Sequence, residues 1–414
     1  MRILLFSNWL PPIQAGSSYY SSSLAQSLVA RGHEVAVVTL DWGFEHQPPP
    51  DLPFTVYKLP VWRLPKLPLF YNLKLVGLAF TPGNDQRLKA LIQRFRPHLL
   101  HHVNHIFDTV FLSANAARWA GIPIVGSITT PIQHQNRWKQ QIMTWADRLT
   151  VGQFGVKRWD SIVSLDHTVH DYVGKLYGKA TQLRSQVIPF GVRLESKTLY
   201  ETPIQESAQR PQILMVGHIH PFRNPVQLIR AMPFVLKTIP DACLVLAGRM
   251  DLKGPVKVAK ELGLTSEQVR FLGETPHRET VHLMKISHIF ASWATGPYRS
   301  LGTAPMEAML CGIPVMNDLP QNLFGEGKLQ NGENIVLVDS RDPQAIAQAI
   351  IRLLKDDELR HRIGAEGRRF VLEHLNWENI AQQMESLYER LLAERGEKGT
   401  SEKVPHREEL KLCR

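Results

Sequence analysis

Apolar and polar positions alternate along the chain in two successive series. In the first, RILLFS (2–7) and EVAVVTL (34–40) are aliphatic runs of strand length. Between them SSSLAQSLVARGH (21–33) puts Leu24 and Leu28 at helical spacing ahead of a Gly32 stop. Strand, helix and strand in that order predict a βαβ unit and a parallel sheet. Helices over 86–95 and 109–120, and strands over 98–103, 122–128, 161–165 and 185–189, continue the pattern. A polar stretch, ESKTLYETPIQESAQRPQ (195–212), then interrupts it and reads as a linker. The second series has strands at 213–217, 243–248, 269–273, 288–293, 313–317 and 334–338. Its helices fall at 224–237, 254–262, 278–286, 303–311, 343–354, 357–373 and 377–394.

The predicted fold class is therefore α/β, with two Rossmann-like doubly wound domains over residues 1–195 and 205–375. A helix over 376–394 follows, and the charged, aliphatic-poor tail at 395–414 is expected to be disordered or loosely attached. Two such domains in succession predict a ligand cleft between them, beyond the carboxyl ends of the strands.

Composition changes this picture in one respect, the placing of charge. The net charge is +10, and residues 1–190 hold 19 Lys+Arg against 10 Asp+Glu, while the remaining 224 hold 29 and 28. Within 58–100 stand Lys58, Arg63, Lys66, Lys74, Arg87, Lys89, Arg94 and Arg96 against Asp85 alone, interleaved with apolar side chains. Such a segment suits an anionic membrane surface. A solvated basic face with a Pro-rich loop is the alternative. No nucleic-acid recognition motif accompanies it, so nucleic acid is not an expected partner. Cys243, Cys311 and Cys413 are too few and too scattered for a disulfide framework, which fits a reducing, cytoplasmic compartment. No uninterrupted apolar stretch reaches the roughly 18 residues of a membrane-spanning helix. The opening MRILLFSNWLPP reads as a first strand and not as a signal peptide.

Candidate chemistry lies where strands run into helices. In IFASWATGPYRSLGTAPMEAMLCGIPVMND (289–318) a buried strand enters a Gly-containing loop, and a helix begins near Gly302 and Thr303. The free N–H groups and positive dipole end of that helix suit a diphosphate. Glu307, one turn inside, can accept hydrogen bonds from ribose hydroxyls. In ILMVGHIHPFRNP (213–225) a strand ends at Gly217, and His218, His220 and Arg223 precede the next helix. A guanidinium there can hold phosphate oxygens through two N–H donors. NWLPPIQAGSSYYSSSL (8–24) brings Gly16 and Ser17 between strand and helix, where small residues let a ligand approach the backbone. It lacks the G-x-G-x-x-G dinucleotide fingerprint. HLLHHVNH (98–105) ends a strand with His101, His102 and His105. No His/Cys/carboxylate cluster and no Asp-x-Asp points to a metal, so none is expected.

Taken in this order, FSNWLPPIQAGSSYY, RGHEVAVVT, VIPFGVRLES, VGHIHPFRNPVQLIRAM, VRFLGETPHRETVHLM and SLGTAPMEAMLCGIPVMND resemble the retaining nucleotide-sugar glycosyltransferases of family 4, also called group 1. The resemblance covers most of 1–394. It implies the two-domain GT-B architecture, with a nucleotide sugar on the C-terminal domain, the acceptor on the N-terminal domain, and a last helix over 377–392 crossing back. Carried over, Glu307 contacts the ribose, and Gly302 and Thr303 meet the diphosphate. Arg223 stands for the usual phosphate-binding Lys, and Gly16 belongs to the N-terminal Gly loop. Gly217, His218 and Leu272 line the nucleotide side, and His101 is a cleft-facing strand-end His.

Three departures stand out. Arg299 replaces the first Glu of the Glu-x7-Glu motif, His218 replaces an Arg, and Thr129 replaces a His near the transferred sugar. A guanidinium only donates, so Arg299 suits an acidic sugar or the diphosphate. The resemblance implies transfer from a UDP- or GDP-sugar to a glycan, lipid-linked or small-molecule acceptor without a metal. Arg223, Arg299, Glu307 and His101 are the expected catalytic residues. The departures leave a second reading, a catalytically degenerate scaffold for another transferase, and the shared architecture a third, a sugar-nucleotide 2-epimerase.

Overall fold

The computed structural model describes residues 1–13, 15–43, 52–64, 76–134, 136–193, 200, 210–220, 223, 225–250, 252–296 and 298–401. The N-terminal half forms β1 (Arg2–Ser7), α1 (Gly16–Ala30), β2 (Glu34–Asp41), β3 (Thr55–Pro60), β4 (Trp62–Leu64) and β5 (Val76–Leu78). There follow α2 (Pro82–Phe95), β6 (Leu99–Val103), α3 (Thr109–Ala120), β7 (Ile124–Ile128), α4 (Arg137–Leu149) and α5 (Val151–Phe154). After a 3-10 turn (Val156–Arg158) come β8 (Ser161–Ser164), α6 (His167–Tyr177), α7 (Lys179–Gln182) and β9 (Ser185–Val187).

The second half contains β10 (Gln212–Val216), α8 (Val226–Thr238), β11 (Cys243–Ala247), α9 (Gly254–Glu261), β12 (Val269–Gly273) and α10 (His277–Ile286). It ends with β13 (Ile289–Ala291), α11 (Thr303–Leu310), β14 (Val315–Asn317), β15 (Val336–Leu337), α12 (Pro343–Lys355), α13 (Asp357–His374) and α14 (Trp377–Ser401).

Continuous aliphatic strands need cover on both faces, and the helices that cross between the parallel strands provide it. Seven strands pair in the order β3-β2-β1-β6-β7-β8-β9 and six in the order β12-β11-β10-β13-β14-β15. Every pairing in both sheets is parallel, and β4 and β5 form a separate antiparallel hairpin. In each sheet the chain works outward from a central strand and then reverses, the doubly wound order. The switch points lie between β1 and β6 and between β10 and β13, the place where doubly wound sheets bind ligands.

Side-chain caps start several helices. Thr81 accepts from the Asn84 N–H at 3.2 Å, Asp166 from Val169 at 2.9 Å, and Asp342 from Gln344 at 2.8 Å.

Three expectations are corrected. The first helix begins at Gly16 and not at residue 21, because Ser17, Ser18 and Ser21–Ser23 are buried helical positions that carry no apolar signal. The expected linker does not stay clear of the domains, since Tyr200 is buried in the C-terminal core. The tail is not loose at 395: α14 runs on to Ser401, and Arg395 bonds the Gly121 carbonyl at 2.8 Å and pairs with Asp160 at 3.1 Å. The remainder, 402–414, lies outside the described residues, as do 65–75 of the basic segment.

The α14 helix returns to the N-terminal domain. Trp377, Ile380, Met384, Leu387, Tyr388 and Leu391 share one core with Leu24 and Leu28 of α1 and Leu5 of β1. Glu385 binds Arg31, and the His33 Nε2 approaches it at 2.9 Å.

Candidate active site

The two switch points carry the site. β10 ends in Gly217, whose φ of 135° leaves a backbone that a side chain would strain. A Cβ at Gly248, after β11, would lie 2.2 Å from the Gly217 carbonyl oxygen, so the two strand ends pack glycine on glycine. The Arg223 N–H then closes a turn by donating to the His220 carbonyl at 2.8 Å. This turn sends the Arg223 side chain back under the strand end. A Cβ on Gly217 would lie 2.9 Å from one guanidinium nitrogen, and a Cβ on Gly302 would lie 3.1 Å from another.

Arg223 thus joins two segments 79 positions apart in sequence. Burial lowers its pKa, and among the described residues no carboxylate pairs with it. A partly buried guanidinium without a carboxylate partner suits an anion.

Gly302, at φ 76°, is the N-cap of α11, with no side-chain cap and no acid in the first turn. The first N–H groups of Thr303 and its successors are left to an incoming acceptor. One turn on, Glu307 Oε1 accepts from the Tyr200 hydroxyl at 3.1 Å and from His277 Nε2 at 2.9 Å. The bond to Glu307 raises the His277 pKa. Burial raises the Tyr200 phenol, with Glu307 adding to the rise. Leu272 is half-buried on β12, packed against the core cluster that holds Met306 and Leu310. Cys311, at the end of α11, has its thiol pushed up to about 12 by burial.

Two of the three departures have partners in the structure. Arg299 is ion-paired with Asp318, whose other carboxylate oxygen accepts from the Ser340 hydroxyl at 2.7 Å. An acidic sugar there would have to compete with Asp318 for the guanidinium. His218 stacks near His220, with centroids 5.0 Å apart, and a guanidinium nitrogen of Arg249 lies 3.0 Å from its Nε2. A cation is therefore restored beside position 218 by a residue from the neighbouring strand end. The Thr129 hydroxyl, beyond β7, is buried without a hydrogen-bond partner.

The N-terminal domain faces this site. Burial raises the Tyr19 phenol on α1, and the field of Glu307 from the C-terminal domain adds to the rise. Tyr172 meets Tyr298 edge to face at 5.2 Å, and the His167 N–H donates to the Leu323 carbonyl at 2.9 Å. Gly16 is exposed at the start of α1, with nothing within 4 Å of its Cβ position.

His101 does not face the cleft. It is fully buried within β6, with Nδ1 2.5 Å from the Tyr388 hydroxyl and Nε2 2.7 Å from the Ser127 hydroxyl. Both ring nitrogens are used inside the core, and burial pushes its pKa down to about 3. It fastens α14 to the sheet and has no free atom for substrate.

Sequence reading missed Tyr200, His277, Arg249 and Asp318. Only position gave a signal: Arg249 follows the end of β11 and Asp318 that of β14, both at carboxyl ends.

Comparison with known proteins agrees with this geometry. A Glycosyltransferase Family 4 sequence family matches residues 15–196, and Glycosyl transferases group 1 matches 197–370. Phosphatidyl-myo-inositol mannosyltransferase of Mycobacterium leprae is 27% identical over 393 residues, 94% of this chain and 96% of that protein. Sucrose-phosphate synthase from Thermosynechococcus elongatus superposes with a TM-score of 0.71 at 22% identity, covering 95% of this chain and 99% of that one. Anabaena HepE in complex with UDP and glucose superposes at 0.67 with 17% identity, covering 94% and 100%. Two doubly wound domains with parallel sheets give the GT-B architecture of these structural neighbours. The chain belongs to the group 1, or family 4, glycosyltransferases.

Proposed function

We propose that the enzyme is a retaining transferase that takes a sugar from a UDP- or GDP-sugar, needs no metal, and serves a glycan or lipid-linked acceptor at an anionic membrane face. The observation that carries the donor reading is Arg223, a partly buried guanidinium set against Gly217 and the uncapped N-terminus of α11. Such a site takes the charge that develops on a departing diphosphate. Arg249 beside His218 adds a second guanidinium nearby. Glu307, partly exposed and already an acceptor, suits the ribose hydroxyls. HepE with UDP and glucose, and a mannosyltransferase relative, support a nucleotide-sugar donor.

In this reading the bond between the sugar's anomeric carbon and the diphosphate oxygen breaks. The acceptor oxygen bonds that carbon from the same face, and its proton passes to the departing phosphate oxygen. No protein nucleophile is needed, which accords with Arg299 where the family has a carboxylate.

A panel of nucleotide sugars, read by nucleotide release with and without a chelator, tests the reading. One donor is expected to turn over equally in both, with the anomeric configuration retained by NMR. Release that the chelator abolishes removes the metal-independent part. Failure to bind UDP or GDP in a titration returns the chain to the scaffold reading.

A further inference from the structure

The α4 helix turns its apolar side outward. Trp138 is 75% exposed, Trp145 67%, Ile142 48% and Leu149 44%. At about 100° per residue these four side chains fall within roughly 60° of one another around the axis. Met143 and Asp147, on the far side, are the buried positions. Asp147 accepts from the Tyr177 hydroxyl at 2.6 Å and so anchors the helix by its polar side. A surface helix of a globular domain ordinarily does the reverse and buries its apolar stripe.

The exposed charges on α4 and the turn that follows have one sign. Arg137 and Arg148 on one side and Lys139 on the other stand about 80–100° from it. Lys157 and Arg158 follow in the 3-10 turn, beside Phe154, which is 54% exposed and carries the Arg158 guanidinium 5.7 Å from its ring. Between residues 137 and 158 the one acid is Asp147, and it is buried. Among the described residues, nine of the twelve exposed large apolar side chains lie between Trp62 and Phe154.

We propose that this face of the N-terminal domain, led by Trp138, Ile142, Trp145 and Leu149, lies in the headgroup layer of an anionic lipid bilayer. Two tryptophans beside aliphatic side chains match the boundary between headgroup and acyl chain. Arginine and lysine to either side reach lipid phosphates while their stems stay against the apolar stripe. A second copy is a poorer occupant, because a two-fold contact would set these same cations against each other. The stripe lies outside the basic segment at 58–100 in sequence. It deepens the membrane part of the proposed function and does not rest on the transfer reaction.

Flotation of the full chain tests it, with vesicles of phosphatidylcholine alone or with about 30% phosphatidylglycerol, at about 0.1 M salt. Binding to the anionic vesicles and a blue shift of tryptophan emission are expected. W138A/W145A and R137E/R148E are each expected to lower vesicle partitioning on the order of tenfold. Leu183→Ser, at an exposed position elsewhere, is expected to leave it unchanged. Absence of binding, or equal binding by W138A/W145A, overturns the proposal. So does a concentration-dependent dimer that W138A/W145A dissolves without any vesicle binding. UDP and GDP titration of the same preparations separates the two readings. Nucleotide binding without vesicle binding removes this inference and the membrane face while leaving the donor reading, and the converse removes the donor reading alone.

Discussion

The guanidinium of Arg223 lies against the backbone of Gly217 and Gly302, and neither glycine could carry a side chain without pressing on it. Charge-assisted hydrogen bonds to a phosphate at such a site contribute about 1.5–3 kcal/mol. Arg223→Ala is therefore expected to weaken nucleotide binding roughly 10–100-fold by calorimetry. Arg223→Lys should recover part of it, since an ammonium lacks the two-pronged donor geometry. An unchanged dissociation constant in the Ala variant would remove Arg223 from the site. Residue types and their position beside glycines made Arg223, Gly302 and Glu307 legible in the sequence. The partners that define them were not. Tyr200 sits in a polar stretch whose composition hides a single buried phenol, and Asp318 is 19 positions from the Arg299 it pairs with.

At the scale of elements, β6 and the turn after it carry His101, His102 and His105, all fully buried and pushed down to about 3 by burial. An unfolded chain takes up protons on these groups as pH falls through about 6.5, while the folded strand resists until about 3. Their contribution to stability is therefore complete above pH 6.5 and is lost as pH falls below it. Each imidazole loses about 1.4 kcal/mol per pH unit in that window. Asp147 opposes them, because burial pushes its carboxyl up to about 6 and its desolvation cost shrinks as pH falls from 6 toward 4. Burial raises Asp108 and Asp166 in the same sense, yet the three imidazoles begin to titrate at higher pH. The urea midpoint is expected to be lower at pH 5.5 than at 7.5, and equal midpoints would mean that the strand protonates while folded.

The strands themselves were the most legible elements, because runs such as EVAVVTL bury both faces and leave little choice of structure. The α4 helix was not read at all. Its apolar stripe faces away from the domain, and Trp, Lys and Gln intermingle around it, so no core-facing pattern marks it.

At the scale of the molecule, the charge asymmetry and the crossing helix matter most. Nineteen cations against ten acids make residues 1–190 the basic half of the chain, and α4 carries its exposed apolar stripe within that half. The seven α14 side chains from Trp377 to Leu391 that enter the N-terminal core are each buried to below a tenth of their surface. Ending the chain at Asn376 exposes that core, at a cost of about 1.5–3 kcal/mol for each large side chain removed. The shortened protein is expected to lose its cooperative thermal transition in the N-terminal domain, or to aggregate. A full-length transition in calorimetry would show that α14 merely rests on the surface. Tyr388→Phe is the milder probe. It leaves the buried His101 Nδ1 without its partner and should cost about 1–3 kcal/mol in urea unfolding.

The crossing helix also sets an order of events at the ribosome. Trp377 to Leu391 leave the exit tunnel about two hundred residues after β9, the last strand of the sheet they cover. At roughly 5–20 residues per second the N-terminal sheet waits on the order of ten to forty seconds for the helix that completes it. Through that interval Leu24, Leu28 and Tyr20 present an uncovered apolar seam. The C-terminal domain, whose strands are contiguous in the chain, can close first, so the half synthesised first is the half finished last.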